Sequence, residues 1–332
     1  MAEITIFEDD AFSVTNLLTV INEDHVVPGQ IAAAGLFEEQ GSTTVTLQIE
    51  KDGMTLRLVE AKPRGGVPQV VTGDKRKMIP FNTVHLPETF SIYADEIQGI
   101  RAFGSRTELQ SAEAVVAARI RKCRLQMELT HEYQRIGAIK GLVLDADGTT
   151  ELLDIYHAFG IKRPGAFSLG LDKPDTDVSV VLTEVLDKQE TALGTTPSST
   201  SRGYAGKEFW AKLIAHKNVR ETYLNTQQAA ALRGDRRGTF EFGGVIWERY
   251  KGQLGSKHFV DPKEAHIVPE GVPGLFITAF APADYMETVN TLGLPFYSKL
   301  ERMPYDKGIA GEAQSNPLHL CTKPLAVRTV TI

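Results

Sequence analysis

The chain has 332 residues, with 36 basic and 42 acidic side chains and a net charge of −6. That balance gives no global case for nucleic-acid binding and favours a soluble protein. Two cysteines, Cys123 and Cys321, cannot build a disulfide framework, no apolar run approaches the ~18 residues of a membrane span, and the length allows two domains.

The N-terminus, MAEITIFEDDAF, is acidic and lacks the charged-then-apolar pattern of a signal peptide. With the cysteine usage, this points to a cytosolic folding compartment. Phe12 to Ile21 reads as a short helix, and HVVPGQIAAAGLFEEQG after it as an extended arm turning at Pro28-Gly29. Val45, Leu47 and Ile49 then alternate with polar residues, Asp52-Gly53 marks a hairpin turn, and Met54, Leu56 and Leu58 resume the alternation. Residues 61–77, AKPRGGVPQVVTGDKRK, hold five basic residues and one apolar cluster of Val67, Val70 and Val71. A long Gly/Pro-rich segment between strands is uncommon in a compact domain, and a hairpin alone is marginal in water. Either this arm lies on another body, for which a second copy of the chain is an economical candidate, or it is a disordered surface loop. The extended segment MIPFNTVHLPETFSIYADEI follows.

The stretch from Thr107 to Ile136 organises the rest. No Gly or Pro interrupts it, and Ala, Glu, Arg, Gln, Leu and Met dominate it, which predicts a helix of about 45 Å at roughly 1.5 Å per residue. Thr107 and Gln110 fit a capping box, and Gly137 then Gly141 supply a stop. Leu109, Ala112, Val116, Ile120, Cys123 and Met127 form one apolar stripe. Leu125, Leu129, Tyr133 and Ile136 form a second, nearly opposite, and Arg121, Arg124, Glu128, Glu132 and Arg135 share a charged face. The pattern predicts a spine with elements packed on both flanks. Arg124→Gln, on the charged face, is expected to cost under about 1 kcal/mol.

Beyond the spine, Leu142–Leu144 and Leu152–Tyr156 flank DADGTT as a short hairpin, and Val178–Leu193 reads as an amphipathic helix. Gly194–Gly206 reads as a flexible loop. Glu208–His216, Gln227–Arg233 and Asp284–Leu292 read as helices. Thr239–Tyr250, bent at Gly243-Gly244, Leu275–Phe280, Phe296–Met303, Pro317–Cys321 and Leu325–Ile332 read as strands. The class is α+β, because helices and strands fall in separate runs.

The strongest catalytic lead is LVLDADGTT, residues 142–150, which resembles the first motif of haloacid-dehalogenase-type phosphatases. There Asp145 would be the nucleophile and Asp147 a general acid around Mg²⁺. Against it, Asp and Gly are also the preferred residues of a turn. A long helix precedes the motif where a doubly wound domain should open, and no paired Asp-Asp after an apolar strand completes the metal site. Gly148 comes too early for a calcium loop, and Arg135 stands where a zinc motif begun by His131-Glu132 needs a second His. GYAGK, residues 203–207, lacks the spacing of a phosphate loop. RIRKCR, residues 119–124, reads as a solvated helix face and only secondarily as a phosphate contact. No catalytic, cofactor-binding or metal-binding residue is expected.

Two C-terminal strings are more specific. PADYMETVNTLGLPFYSK, within residues 274–303, and SNPLHLCTKP, within 311–330, resemble the phage major capsid protein E family, the lambda-type coat proteins. DKRKMIPFNTVHLP, ADEIQGIRAFG, the spine and DADGT resemble it as well. The likeness spans nearly the whole chain and is weakest over residues 1–25 and 194–240.

This resemblance implies the tailed-phage major capsid fold. It divides the chain into an N-terminal arm (1–42), an extended loop (43–86), a peripheral domain with the spine helix (87–155 and 290–332) and an axial domain (156–289). It implies a major capsid protein that is not an enzyme and that self-assembles through pentamers and hexamers into the icosahedral head of a double-stranded DNA phage. Portal, scaffold or decoration proteins would be partners, packaged DNA would be touched non-specifically at the inner surface, and no membrane is involved. The protein would be made and assembled in the bacterial host cytoplasm and reside in the virion. Other readings are a phosphatase using Asp145 and Asp147, and a related shell protein from a prophage remnant or a non-viral compartment.

Overall fold

The computed structural model describes residues 12–23, 29–51, 77–94, 96, 108–224 and 239–332. Among them the helices are α1 (Val14–Glu23), α2 (Gln30–Ala33), α3 (Glu108–Lys140), α4 (Ile155–Ala158), α5 (Val178–Leu193), α6 (Lys207–Ala215) and α7 (Lys217–Leu224). The strands are β1 (Glu38–Gly41), β2 (Thr46–Lys51), β3 (Lys77–Asn82), β4 (Leu86–Tyr93), β5 (Leu142–Leu144), β6 (Glu151–Asp154), β7 (Phe167–Ser168), β8 (Thr200–Ala205), β9 (Phe240–Phe242), β10 (Val245–Arg249), β11 (Gln253–Leu254), β12 (Lys257–His258), β13 (Glu264–Glu270), β14 (Phe276–Phe280), β15 (Tyr297–Arg302), β16 (Gly308–Ser315), β17 (Pro317–Cys321) and β18 (Arg328–Thr331).

The spine is α3, 33 residues long, or about 50 Å at roughly 1.5 Å per residue. It runs past Gly137, expected as a stop, because that glycine lies against β5: a Cβ there would come within 2.9 Å of the Val143 Cα. It ends at Gly141, whose φ of +79° turns the chain and whose place a Cβ would lose to the Tyr156 ring. Thr107, the expected cap, lies outside the described residues, as do Asp52-Gly53 and Gln227–Arg233.

The described residues form three apolar cores, two of them on this helix. In its N-terminal half Val116, Ile120, Cys123 and Met127 are buried against Phe12, Leu17 and Ile21 around α1, Ile92 of β4 and Phe296. The expected first stripe is therefore real over these residues. In its C-terminal half Ile136, Ala138 and Ile139 pack with β14 and β17, with Ile31 and Phe37 of the N-terminal segment, and with Ile79 and Phe81 of β3. The third core lies between α5, α6 and a six-stranded sheet, centred on Phe209 and Trp247, whose rings lie 5.6 Å apart.

That sheet has the order β7-β18-β13-β8-β10-β9. A three-stranded sheet, β1-β14-β17, joins distant parts of the chain, with β1 parallel to β14 from Glu38↔Ile277 to Gly41↔Phe280. A third, β15-β16-β4, is antiparallel, and β2 pairs β3 from Thr46↔Asn82 to Lys51↔Lys77.

Several expectations are corrected. Residues 194–206, read as a flexible loop, contain β8, an inner strand of the six-stranded sheet. Its Gly203 makes room for Trp247, whose ring would lie 2.5 Å from a Cβ, and Tyr204 and Ala205 are fully buried. Thr239–Tyr250 is a hairpin and not one bent strand, since Gly243 and Gly244 have φ of +61° and +76° and form its two-residue turn. Asp284–Leu292 carries only the short 3₁₀ turn Met286–Thr288. Asn290 sits at φ +61°, and Gly293 is pressed onto the Phe280 carbonyl, which leaves no room for a continuing helix. The short helix expected at Phe12–Ile21 is α1, but the stretch after it, read as an extended arm, holds α2 and β1.

The second stripe is covered only in part. Ile136 is buried and Tyr133 packs on Phe259 at 5.0 Å, but Leu125 and Leu129 are 49% and 39% exposed. The charged face, by contrast, is largely buried. The Arg124 side chain is 12% exposed, donates to the Ile21 carbonyl and stacks 5.1 Å over the Phe296 ring. Arg124→Gln is therefore expected to cost about 1–3 kcal/mol, well above the surface value. Urea unfolding against wild type measures it, and a change below about 0.5 kcal/mol contradicts the stacked geometry.

Candidate functional site

Asp145 and Asp147 sit in the turn between β5 and β6, which pair antiparallel. The Asp145 backbone closes the turn, with its N–H on the Thr150 carbonyl at 2.9 Å and its carbonyl accepting from Gly148 at 2.8 Å. Its side chain accepts from the Ala146 N–H at 2.7 Å. Asp147 accepts four bonds, from the Thr149 and Thr150 N–H groups at 2.8 and 2.9 Å and from their hydroxyls at 2.9 and 2.7 Å. These bonds, that from the Thr149 N–H first, hold its carboxyl far below the usual range. A carboxylate so committed is a poor general acid, which needs a proton near neutral pH. Among the described residues no group of three or more His, Cys, Asp or Glu is placed to hold a metal ion. The geometry is a self-capped turn.

The more informative arrangement lies on the polar side of the spine, where the N-terminal segment docks. Glu132 is 4% exposed and accepts from the Ile31 N–H at 2.8 Å, the Ala32 N–H at 3.3 Å and the Tyr250 hydroxyl at 2.9 Å. It thus caps α2, whose own N-cap residue is Gly29 and offers no side chain. Arg135, also buried, pairs with Glu39 of β1 at 3.0 Å. Glu38 accepts from the Gly274 N–H at 2.8 Å. On the far side Gln30 donates to the Arg249 carbonyl at 3.1 Å and accepts from the Lys251 N–H at 3.0 Å.

Beside this junction two histidines are buried. His131 stacks on Phe296 at 5.3 Å and meets His319 at 5.4 Å, while Phe37 of the N-terminal segment stands edge-on to His319 at 6.0 Å. His319 Nδ1 lies 2.8 Å from the Thr278 hydroxyl. Burial, and secondarily the Arg135 charge, push His131 down to about 3, and burial puts His319 well below its ordinary value. His266, in β13 beside Thr329, is likewise pushed down to about 3 by burial. Burial pushes the Cys321 thiol up to about 12 and raises that of Cys123, so both are inert core residues. The basic run at 119–124 is not one solvated face: Arg121 and Lys122 are exposed, Arg119 pairs with Glu96 at 2.5 Å, and Arg124 is covered.

Glu132 was legible only as one charge on a helical face. Its partners lie about a hundred residues away on either side, and the only local signal is a glutamate on a stretch whose flanking positions, His131 and Tyr133, are apolar-bodied.

This architecture is similar to that of the putative capsid protein of an E. coli CFT073 prophage, with a TM-score of 0.62 and 16% identity over 96% of this chain and 98% of that one. The fold is therefore that of a phage capsid protein. The family model for phage major capsid protein E matches residues 13–332, and the chain belongs to that family. The major capsid protein of Salmonella phage Felix O1 is 28% identical over 331 residues, covering 89% of each chain. That of Pseudomonas phage KPP10 is 28% identical over 292 residues, covering 80% of this chain and 81% of its own length. The molecule is a major capsid protein, a structural component of the virion, and the phosphatase reading has no support. Among the described residues no helix is long and apolar enough to cross a membrane.

Proposed function

We propose that copies of this chain close into an icosahedral head shell through pentamers and hexamers, with the extended loop of each copy lying on a neighbour. The family match over residues 13–332 carries this reading. The strand pair β2–β3 supports it. Its base is fixed by buried Ile79 and Phe81, and its described pairing runs from Thr46↔Asn82 to Lys51↔Lys77. The four-part division at 42/43, 86/87, 155/156 and 289/290 is part of the same proposal. Strand pairings cross these lines: β14 pairs with β17 and with β1, and β18 pairs with β13 and with β7. The peripheral and axial parts would therefore share sheets and not meet as separate bodies. Assembly in the host cytoplasm, portal, scaffold or decoration partners, and non-specific DNA contact at the inner surface complete the reading.

Residues 61–77, of which only Lys77 is described, provide the test. Their five basic side chains face a chain of net charge −6, and charge pairs of this kind set register between copies. A short Gly/Ser linker in their place is expected to leave the circular dichroism spectrum unchanged and to abolish large particles in light scattering and electron microscopy. Shells at wild-type yield would remove the loop from the mechanism, and an unfolded variant would place it in the subunit core.

The protein is also proposed to have no catalytic activity, since the Asp147 lone pairs are used within the turn. With Mg²⁺ and a generic phosphomonoester, no turnover above a protein-free blank is expected for wild type or Asp145→Asn. Turnover that disappears in Asp145→Asn contradicts this.

A further inference from the structure

The hairpin that joins β15 to β16 carries a residue its turn does not favour. The Met303 carbonyl accepts from the Asp306 N–H at 3.1 Å, and the Met303 N–H donates to the Gly308 carbonyl at 3.0 Å. Pro304 and Tyr305 are therefore the central pair of a tight turn. Tyr305, at the second central position, has φ +63°, and Asp306 follows at φ +52°. Glycine or asparagine fits such a place with little strain, and a tyrosine does not. The subunit gains no packing from the ring in return. Tyr305 is 92% exposed, with the Lys307 ammonium 5.8 Å from its centroid. Beside it Gly308 opposes Tyr93, which is 50% exposed. This end of the β15-β16-β4 sheet is thus a projecting aromatic knob with an acid next to it. Strain kept at an exposed aromatic side chain points to a use outside the subunit.

A recess of matching character lies on the same molecule, between α1 and the N-terminal half of the spine. It is a groove of about 510 Å³. Ile21 and Ile120, both buried, line it together with Val20, which is 41% exposed, and with Ala117 and Ala118. The short alanine side chains leave room for a flat ring. Arg121, exposed, is part of the lining, and Lys122, also exposed, follows it in the chain. Asp306 carries the charge opposite to both. Because Tyr305 stays exposed in its own copy, the groove that takes it belongs to another.

We infer that the Tyr305 hairpin of one copy inserts into the groove between α1 and the spine of a second copy, with Asp306 against Arg121. Two different surfaces meet, so the contact is head-to-tail and can repeat around a ring. The inference rests on the proposed self-assembly and assigns one of its contacts.

The test mixes two preparations of the full-length chain, one carrying Tyr305→Cys and the other Ala118→Cys. The native cysteines are buried, so a disulfide between positions 305 and 118 forms only between copies. Val180→Cys, exposed on α5, replaces Ala118→Cys as the reference for random collision. Under mild oxidation the 305–118 bond is expected to form at least roughly tenfold faster than the 305–180 bond. Asp306→Lys in the first preparation, or Arg121→Glu in the second, is expected to remove most of that advantage, and the two together to restore it. Tyr305→Gly relieves the backbone, so its urea midpoint is expected to equal or exceed that of wild type. Its copies are nevertheless expected to associate at least roughly tenfold more weakly in sedimentation. Equal rates for the two disulfides would overturn the inference. Shells that close without the 305–118 bond would overturn it too, and would leave the assembly reading standing. Copies that never associate would remove the assembly reading and this contact with it. Slow reaction of Ala118→Cys with a thiol reagent in the dilute subunit would mean that the groove is filled by its own chain, and would also overturn the inference.

Discussion

Met127→Asp is expected to abolish accumulation of folded subunit. Met127 is 2% exposed and lies among Val116, Ile120, Cys123, Leu17, Ile21 and Phe296. An aspartate there either buries an unpaired charge or binds a proton and leaves a polar group without a partner, and it also opens the volume the thioether filled. The combined cost is on the order of 4 kcal/mol or more, a large share of the ~5–15 kcal/mol that holds an ordinary domain together. The same substitution two residues away gives the control. Leu129 points to solvent, so Leu129→Asp is expected to change stability by less than about 1 kcal/mol. Soluble yield and urea midpoints of the two variants measure the difference. Equal midpoints would show that the assignment of faces along the spine is wrong.

Stability is expected to fall steeply on mild acidification. His131, His266 and His319 are held neutral, with proton affinities below that of the unfolded chain. In the unfolded state each binds a proton near pH 6.5. Between that pH and about 3, where His131 and His266 would titrate in place, the unfolded chain carries protons that the folded chain lacks. The stability these groups contribute is therefore complete above pH 6.5 and is lost as pH falls. Each removes about 1.4 kcal/mol per pH unit at full slope. Glu128 acts in the opposite sense, since burial raises its affinity and the folded state gains from protonating it, but it is one group against three. Urea midpoints measured from pH 7.5 to 4.5 should drop throughout the lower part of the range. His131→Phe keeps a flat ring against Phe296 and removes one titration, so its slope should be shallower. A flat profile between pH 7 and 5 would exclude burial of neutral histidines as the source of acid sensitivity.

The spine and α5 were legible in the sequence because each is an uninterrupted run of helix formers with one apolar period. Their packing was less legible. Arg124, Glu132 and Arg135 form a charged stripe whether solvent or the N-terminal segment covers them, and only the partners, near positions 21, 31 and 39, decide which. Strands rich in small or polar residues escaped for a related reason. β8, with Ser201 and Gly203, looks like a loop until Trp247 is seen to occupy the space a side chain would take. β16 passed without notice because Gly311 leaves its face to the Phe90 ring. The C-terminal strings that resembled the coat family fall on the connection after β14, the start of β15, and β17, so the most legible part of the chain adjoins the sheet against which the N-terminal segment packs.

The pairing of β1 with β14 also sets a schedule. Glu38 opposes Ile277, so the edge that β1 needs does not exist until most of the chain has been synthesised. At ~5–20 residues per second, the ribosome takes on the order of 10–50 s to add the intervening stretch. Throughout that interval the nascent segment exposes an open strand, and other nascent chains on the same message expose it too. The sequence of β1, Glu38-Glu39-Gln40-Gly41, places two like charges side by side on that strand. Identical segments that meet in register would repel, which discourages edge-to-edge pairing during the wait. Once β14 and α3 are in place, the Gly274 N–H and Arg135 take up the same two charges.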